Sequence, residues 1–232
     1  MSLLLDLLFP KKCVGCKSVG TYFCKKCIQD IKQTDLVCPK CERASIGGVT
    51  HPICERKFGL SGLWSLGIYT PPLKQAIQAL KYKHVRELSD NLVGITLEYW
   101  AKYQPFLLDK IKKDQGKGWV VVPVPLHWYR KNYRGFNQSA LFAQNFAEKL
   151  DLKYLDCLER VKYTKPQAKL KGQDRFKNIK NAFSLSPNCS LTTVNCVLLI
   201  DDVWTTGSTL RECCYVLKRS GVKNVWALTL AR

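Results

Sequence analysis

Two adjacent aspartates, Asp201 and Asp202, stand between an apolar run and a stretch of small hydroxyl residues around a glycine. The run at 197–200 has no alternation of apolar and polar residues, which is typical of a strand buried on both faces of a parallel sheet. Such sheets bind ligands at the carboxyl ends of their strands, so we expect both carboxylates in a binding site. Residues 205–209 could hold a phosphate with loop amides, hydroxyls and a helix N-terminus. Because carboxylates repel a bare phosphate, the ligand should also carry hydroxyl groups or a divalent metal.

A second chemical group lies near the amino terminus, where four residue pairs have the spacing of metal ligands. The chain contains 12 cysteines, and without a secretion signal such cysteines indicate metal before disulfides. A CxxC turn places two thiolates on one metal, and two such turns complete a tetrahedron. We therefore predict two structural zinc sites, one with four cysteines and one with three cysteines and a histidine. The ligands are Cys13, Cys16, Cys24, Cys27, Cys38, Cys41, His51 and Cys54.

The pairing of these ligands is open at this level. A sequential arrangement combines the first two pairs in one site and the last two in the other, whereas a crossed arrangement joins the first pair to the third. The remaining cysteines lack this spacing and are predicted to be buried thiols: Cys157, Cys189, Cys196, Cys213 and Cys214.

The elements that must position both groups follow from the apolar pattern. Strands are predicted at 64–69, 119–125, 194–200 and 224–230, and helices at 73–83, 87–103, 137–150 and 210–219, with a charged loop at 109–118. This order predicts an α/β fold with a parallel sheet. With 232 residues, the chain can bury a full core and still form a small second module. We therefore predict a zinc-binding domain at 1–60 and an α/β domain at 61–232.

The excess of basic residues in the amino-acid composition narrows the classes of binding partner. The 37 Lys and Arg residues exceed the 18 Asp and Glu residues by 19, and most of the excess lies beyond residue 60. Such a surface suits nucleic acid, a phosphorylated metabolite or an anionic membrane, and a generic solubilising role is the alternative. The opening residues 1–12 are too short to span a membrane and carry their basic charges after the apolar residues, unlike a secretion signal. We expect a short amphipathic helix there and a cytoplasmic protein, with membrane-surface docking as the alternative.

Two basic stretches could bind a polyanion. Residues 122–139 follow a predicted strand, so Arg130, Lys131 and Arg134 should reach the same edge of the sheet as the aspartates. Residues 160–180 contain eight basic residues and one acid, with Tyr163 and Phe176 between the charges. This mixture is typical of a single-strand channel, where bases stack and phosphates pair. A mobile hood over the phosphate site, or a plain solvated loop, is the alternative.

The acidic pair and the loop after it resemble the signature of type I phosphoribosyltransferases, which bind phosphoribosyl pyrophosphate (PRPP). The resemblance implies that the carboxylates meet the ribose hydroxyls, directly or through Mg²⁺ and water, and that the loop wraps the 5′-phosphate. The residues implied in PRPP binding are Asp201, Asp202, Thr205, Thr206, Gly207, Ser208 and Thr209.

Further motifs, found in order along nearly the whole chain, resemble the ComF family. They are the CxxC-rich start, Val-Pro-Val-Pro at 122–125, Arg-Gly-Phe-Asn-Gln at 134–138, Thr-Lys-Pro-Gln at 164–167 and Arg-x-x-Asn before Ala-Phe at 175–183. That family joins a double zinc ribbon to a phosphoribosyltransferase-like domain and is associated with DNA uptake in natural competence. The resemblance implies pyrophosphate and hood roles for Pro123, Val124, Arg130, Arg134, Asn137, Gln138 and Arg175, with PRPP and the DNA-uptake machinery as partners. Single-stranded DNA is predicted as a partner from the basic charge rather than from the resemblance.

Catalysis is open, because the sequence shows no strong general base. Thr205 stands where the 6-oxopurine enzymes of the superfamily have an aspartate, which argues against hypoxanthine or guanine as the acceptor. Three functions remain: a competence protein that binds PRPP and DNA, a phosphoribosyltransferase with a small-molecule acceptor, and a zinc-ribbon adaptor with a vestigial ligand site.

Overall fold

A parallel sheet organises the structure, a computed structural model that describes residues 10–82, 86–113, 118–164 and 172–232. The seven strands of this part of the chain are β1 (Gly62–Gly67), β2 (Trp119–Pro123), β3 (Lys153–Tyr154), β4 (Leu158–Arg160), β5 (Phe183–Leu185), β6 (Cys196–Val203) and β7 (Asn224–Ala231). Five of them form the parallel sheet in the order β1-β7-β6-β2-β3, and β4 pairs with β5 in an antiparallel hairpin. The prediction of an α/β protein with a parallel sheet is confirmed.

Eight α-helices lie within the described residues: α1 (Lys25–Gln29), α2 (Leu73–Tyr82), α3 (Arg86–Tyr103), α4 (Pro105–Lys113), α5 (Trp128–Arg134), α6 (Gln138–Lys149), α7 (Gly172–Ile179) and α8 (Ser208–Arg219). The predicted loop at 109–118 is wrong for 109–113, which belong to α4, while 114–117 lie outside the described residues. Leu107 and Ile111 are buried on one face of α4. The lysines of this stretch therefore occupy the other positions of an amphipathic helix.

The central strand β6 is buried on both faces, which explains its uninterrupted apolar sequence. Leu198 and Ile200 belong to one apolar cluster, together with Trp64. Val197 and Leu199 belong to a second cluster on the opposite face of the sheet.

Strand register brings the predicted site segments to one edge of the sheet. Pro123, the last residue of β2, pairs with Ile200, and Asp201 pairs with Thr229 of β7. The backbone N–H of Val124 donates to the carbonyl of Ile200 at 2.8 Å. The chain after β2 therefore leaves the sheet directly beside the acidic pair.

The cysteine-rich segment shares its core with the sheet. Cys13 and Cys27 lie in the same buried apolar cluster as Trp64 and Leu73. The division at residue 60 stays a prediction, and the helix expected at the amino terminus falls outside the described residues. No helix in the described ranges is long and apolar enough to cross a membrane.

Candidate functional site

The cysteine pairs form two clusters, which resolves the pairing that the sequence left open. Within each cluster all ligand atoms lie within 4.8 Å of one another. The arrangement is sequential. We call Cys13, Cys16, Cys24 and Cys27 zinc site 1, and Cys38, Cys41, His51 and Cys54 zinc site 2.

Both sites begin with the same backbone turn. The N–H of Lys17 donates to the carbonyl of Cys13, and that of Glu42 to the carbonyl of Cys38, both at 2.9 Å. Lys17 and Glu42 are left-handed, with φ of 68° and 60°. In site 1 the Ser18 hydroxyl lies 3.1 Å from the Cys16 sulfur and lowers the pKa of that thiol to about 6. Since the thiolate is the metal-binding form, and each site supplies four ligands, the residues fit structural Zn²⁺.

The acidic pair lies at the carboxyl end of β6. One carboxylate oxygen of Asp201 accepts from the Ser139 hydroxyl at 3.1 Å and from the backbone N–H of Asp202 at 2.9 Å. Burial, and then the Asp202 carboxylate, raise the pKa of Asp201 to about 8. Two neighbouring carboxylates in a partly buried place favour a ligand that neutralises or hydrogen-bonds them.

A lysine from α2 completes this cluster. The Lys81 ammonium contacts the Asp202 carboxylate in an ion pair. Burial opposes the charge on Lys81, but Asp202 and then Asp201 outweigh it and raise the pKa of the lysine. The site thus contains a fixed positive charge beside the carboxylates.

The predicted phosphate loop is built over a buried tryptophan. Gly207 has a φ of 68°, and a Cβ atom there would lie 2.3 Å from the Trp204 indole, so glycine is required for both reasons. The helix α8 begins at the next residue, Ser208, whose hydroxyl lies 2.9 Å from that of Thr206. Backbone amides at a helix N-terminus and two hydroxyls can together hold a phosphate group.

The segment after β2 is held in place by its own side chains. The Asn137 amide donates to the carbonyl of Val124 at 3.0 Å and accepts from the N–H of Ser139 at 3.1 Å. Gln138 is buried and accepts from the Arg134 guanidinium at 3.2 Å. These two amides position the predicted pyrophosphate turn and the serine that contacts Asp201.

Aromatic and basic residues from the two predicted basic stretches meet at one surface. The Tyr163 ring lies 5.9 Å from that of Tyr129, and the Tyr129 ring 6.0 Å from that of Trp128. The Arg130 guanidinium donates to the carbonyl of Thr164 at 3.1 Å. All three rings are more than half exposed. We call Trp128, Tyr129, Arg130, Arg160 and Tyr163 the aromatic-basic surface.

A cavity of about 870 Å³ adjoins this surface. Its walls include Trp128, Lys131, Asn137, Asp156 and Arg160. It therefore offers an aromatic ring, cations and a carboxylate close to the turn after β2.

Several curated proteins are similar to the chain over half of its length or more. Competence protein F of Haemophilus influenzae is 34% identical over 168 residues, which cover 72% of this chain and 71% of that protein. DNA utilization protein YhgH of Salmonella typhimurium is 32% identical over 218 residues, 90% of this chain and 89% of that protein. The chain belongs to the ComF family. Competence protein ComFC of Streptococcus pneumoniae is 28% identical over 130 residues, which cover 56% of this chain and 54% of that protein. No family model matches the chain.

In this ComF family member, many of the residues predicted from sequence lie at one sheet edge or in the two zinc sites, and a few fall outside the described residues. Asp201, Asp202 and the loop at 205–209 lie together at one sheet edge, with Pro123 and Val124 beside them. The cysteines and His51 form the two zinc sites. The side chains of Arg175 and Phe176, and residues 165–167 of the Thr-Lys-Pro-Gln motif, lie outside the described residues.

Sequence reasoning missed several residues near the predicted sites, among them Lys81, Trp128 and Tyr129. Lys81 carried no local signal, because its helix precedes the acidic pair by more than a hundred residues. Trp128 and Tyr129 did carry a local signal, because these two aromatic residues directly precede the basic pair Arg130 and Lys131.

The raised pKa of Asp201 predicts how stability depends on pH. The folded value is about 8 and the ordinary value 3.8, so between these values the folded protein keeps a proton that the unfolded chain has lost. The free energy of unfolding therefore falls as pH rises through this window. Asp201→Asn stays neutral and retains an acceptor for Ser139, so we expect it to exceed the wild type in stability at pH 8.5 but not at pH 4.

Thermal unfolding at pH 4, 6 and 8.5 measures this difference. Asp109→Asn, which removes an exposed carboxylate of α4, is the matched control and should show no such pH dependence. A difference between Asp201→Asn and wild type that stays constant over this range would contradict the raised pKa.

Proposed function

We propose that this protein binds PRPP together with Mg²⁺ and acts on DNA. The DNA role extends to this chain what the names of its relatives, competence protein and DNA utilization protein, say of them. The observation that carries the ligand assignment is the joining of a partly buried carboxylate pair to the N-terminal loop of α8 at one sheet edge. Ribose hydroxyls suit the carboxylates, and a 5′-phosphate suits the loop.

The remaining part of PRPP is a diphosphate, which we assign to residues 123–137 because they begin beside the acidic pair. Val124 is tied to the strand that carries Asp201, and Arg130 and Arg134 follow within the same turn and helix. Mg²⁺ prefers carboxylate and phosphate oxygens, so Asp201 and Asp202 are the residues that would hold it with the ligand. Lys81 would share the neutralisation of these carboxylates.

Calorimetric titrations with three probes test the ligand assignment. Ribose 5-phosphate tests the carboxylates and the loop, pyrophosphate tests the turn at 123–137, and PRPP tests both. We expect PRPP to bind more tightly than either fragment, and to weaken when Mg²⁺ is omitted. Binding of none of the three would contradict the assignment.

We further propose that single-stranded DNA binds the aromatic-basic surface. A net charge of +19 favours a polyanion, and the surface combines three exposed rings with the partly buried side chains of Arg130 and Arg160. The rings are available for base stacking, which tolerates any sequence. The adjoining cavity could accept an unstacked base.

Removing the aromatic rings should weaken binding of a short oligonucleotide. Each stacked base contributes about 1–3 kcal/mol, so Tyr129→Ala and Tyr163→Ala should each reduce affinity at least about fivefold. Tyr103→Ala, which removes a half-exposed ring from α3, is the matched control. Fluorescence anisotropy against salt should give a slope of about −0.7 for each phosphate neutralised. Wild-type protein without salt-dependent binding would remove DNA as a partner.

An active phosphoribosyltransferase with a small-molecule acceptor is the second candidate. The 870 Å³ cavity is the observation that favours it, since it lies beside the turn proposed to hold the leaving group and contains the Asp156 carboxylate. Pyrophosphate release in the presence of nucleobases and amines, with and without an oligonucleotide, distinguishes the two. Release that requires a small acceptor supports the enzyme.

A further inference from the structure

Arg211 of α8 links the phosphate loop to the zinc-binding segment. One guanidinium nitrogen donates to the carbonyl of Thr206 at 2.6 Å, and another donates to the carbonyl of Pro39 at 2.6 Å. Thr206 precedes Gly207 in the loop, and Pro39 follows Cys38 of zinc site 2. One side chain therefore bonds to segments more than 160 residues apart.

Two more contacts fix the orientation of this guanidinium. The nitrogen that donates to Pro39 also lies 3.6 Å from the Glu42 carboxylate, and the guanidinium carbon lies over the Trp204 ring, 5.1 Å from its centroid. Glu42 follows Cys41 and has the left-handed backbone of the metal turn. A planar guanidinium can meet these partners only when both segments keep their places, which a lysine ammonium cannot reproduce.

The position of Pro39 and Glu42 depends on the turn that carries Cys38 and Cys41. Small cysteine-rich turns take their shape from the bound metal, because metal binding and folding of such a segment are one equilibrium. The residues of site 2 fit Zn²⁺, so an occupied site holds both partners of Arg211 in place. When zinc is absent from site 2, Arg211 loses its partners in the turn and no longer holds the Thr206 carbonyl in place.

We propose that Arg211 is a positioning residue that couples zinc site 2 to the phosphate loop. Zinc in site 2 strengthens binding of a phosphate-bearing ligand, and the ligand in turn strengthens retention of that zinc, since coupling between two sites is reciprocal. The proposal rests on the proposed function for the identity of the ligand. The coupling itself requires only that the phosphate loop and the turn with Cys38 and Cys41 be linked through Arg211, whatever the ligand is.

Zinc site 1 lies elsewhere in the fold. Cys13 and Cys27 pack in the apolar cluster of Trp64, whereas Val37, next to site 2, belongs to the cluster that contains Leu210 and Leu217 of α8. The segment of site 2 therefore packs against the cluster that contains α8, whereas both buried cysteines of site 1 lie in the other cluster.

The test combines two substitutions. Cys54→Ser weakens zinc binding in site 2, and Arg211→Lys keeps the positive charge but removes the planar guanidinium that donates to two carbonyls at once. PRPP affinity with Mg²⁺ is measured by calorimetry, and hydrogen exchange of residues 204–209 is measured without ligand. We expect each variant to weaken PRPP binding about tenfold, in the usual range for coupled sites, and to speed exchange in the loop. The double variant should bind PRPP no less tightly than whichever single variant binds it less tightly, because both substitutions remove the same link. Arg219→Lys, on the same helix but in contact with the Tyr215 ring, is the matched control.

Additive effects in the double variant, or loop exchange and PRPP affinity that do not change in Arg211→Lys, would overturn the coupling. Arg211→Lys keeps every zinc ligand, so it remains informative if Cys54→Ser does not fold. Wild-type protein that binds no PRPP, while loop exchange still responds to both variants, would contradict the proposed ligand and leave the coupling supported.

Discussion

Replacing Asp201 and Asp202 together by asparagine should weaken Mg²⁺-dependent PRPP binding at least a hundredfold. Hydrogen bonds to a charged group contribute about 1.5–3 kcal/mol each. In the Mg²⁺ complex both carboxylates would be ionised, so the double replacement would remove two charged acceptors and lose about 3 kcal/mol or more. Asparagine keeps the size of the side chain and an acceptor for the Ser139 hydroxyl, which bonds to Asp201 at 3.1 Å. The loss should therefore come from ligand contacts rather than from misfolding.

Calorimetry with PRPP at saturating Mg²⁺ measures this loss, and thermal unfolding of the variant shows whether the fold is kept. Asp109→Asn in α4 serves as the matched control, because it removes an exposed carboxylate. The double variant also frees the Lys81 ammonium from its ion pair, so Lys81→Met is compared in parallel. Unchanged PRPP affinity in the double variant would reject these carboxylates as ligand-binding groups.

The second large effect concerns zinc. Freshly purified protein should contain two zinc ions per chain, one for each cluster of four ligands. Replacing Cys24 and Cys27 by serine should remove one ion and lower the stability of the whole chain. If the cysteine-rich segment were an independent module, it would unfold alone and leave the rest of the chain folded. Cys27, however, is 5% exposed and shares a buried apolar cluster with Trp64 and the central strands.

Elemental analysis counts the zinc, and tryptophan fluorescence follows unfolding, since the ring centroids of Trp64 and Trp226 lie 4.7 Å apart in the shared core. We expect the unfolding midpoint of the core to fall along with zinc content, because structural zinc contributes directly to folding free energy. Cys189→Ser, outside both clusters, is the control and should retain both ions. Absence of zinc from the wild-type protein would contradict the metal assignment.

Local sequence patterns predicted the central strand of the sheet and the residues that form the two cysteine-rich clusters, for physical reasons. A strand buried on both faces needs apolar residues at every position, so residues 197–200 identified β6. A CxxC turn places two thiolates on one metal whatever surrounds it, so the cysteines were identifiable without a structure. The same reasoning failed at 109–113, because the burial of Ile111 depends on the rest of the protein and the charge run around it suggested a loop.

By itself, then, the sequence determined the fold class and identified the eight residues of the two metal-binding clusters, because these follow from local patterns in the chain. The ligand-binding role of the acidic pair stays a prediction. Only the tertiary structure decided the sequential pairing of the zinc ligands and the approach of Lys81 to Asp202. It also decided the meeting of Tyr129 with Tyr163 and the bridge from Arg211 to Pro39. These contacts join residues far apart in sequence, and packing of the elements brings them together without leaving any periodic trace in the chain.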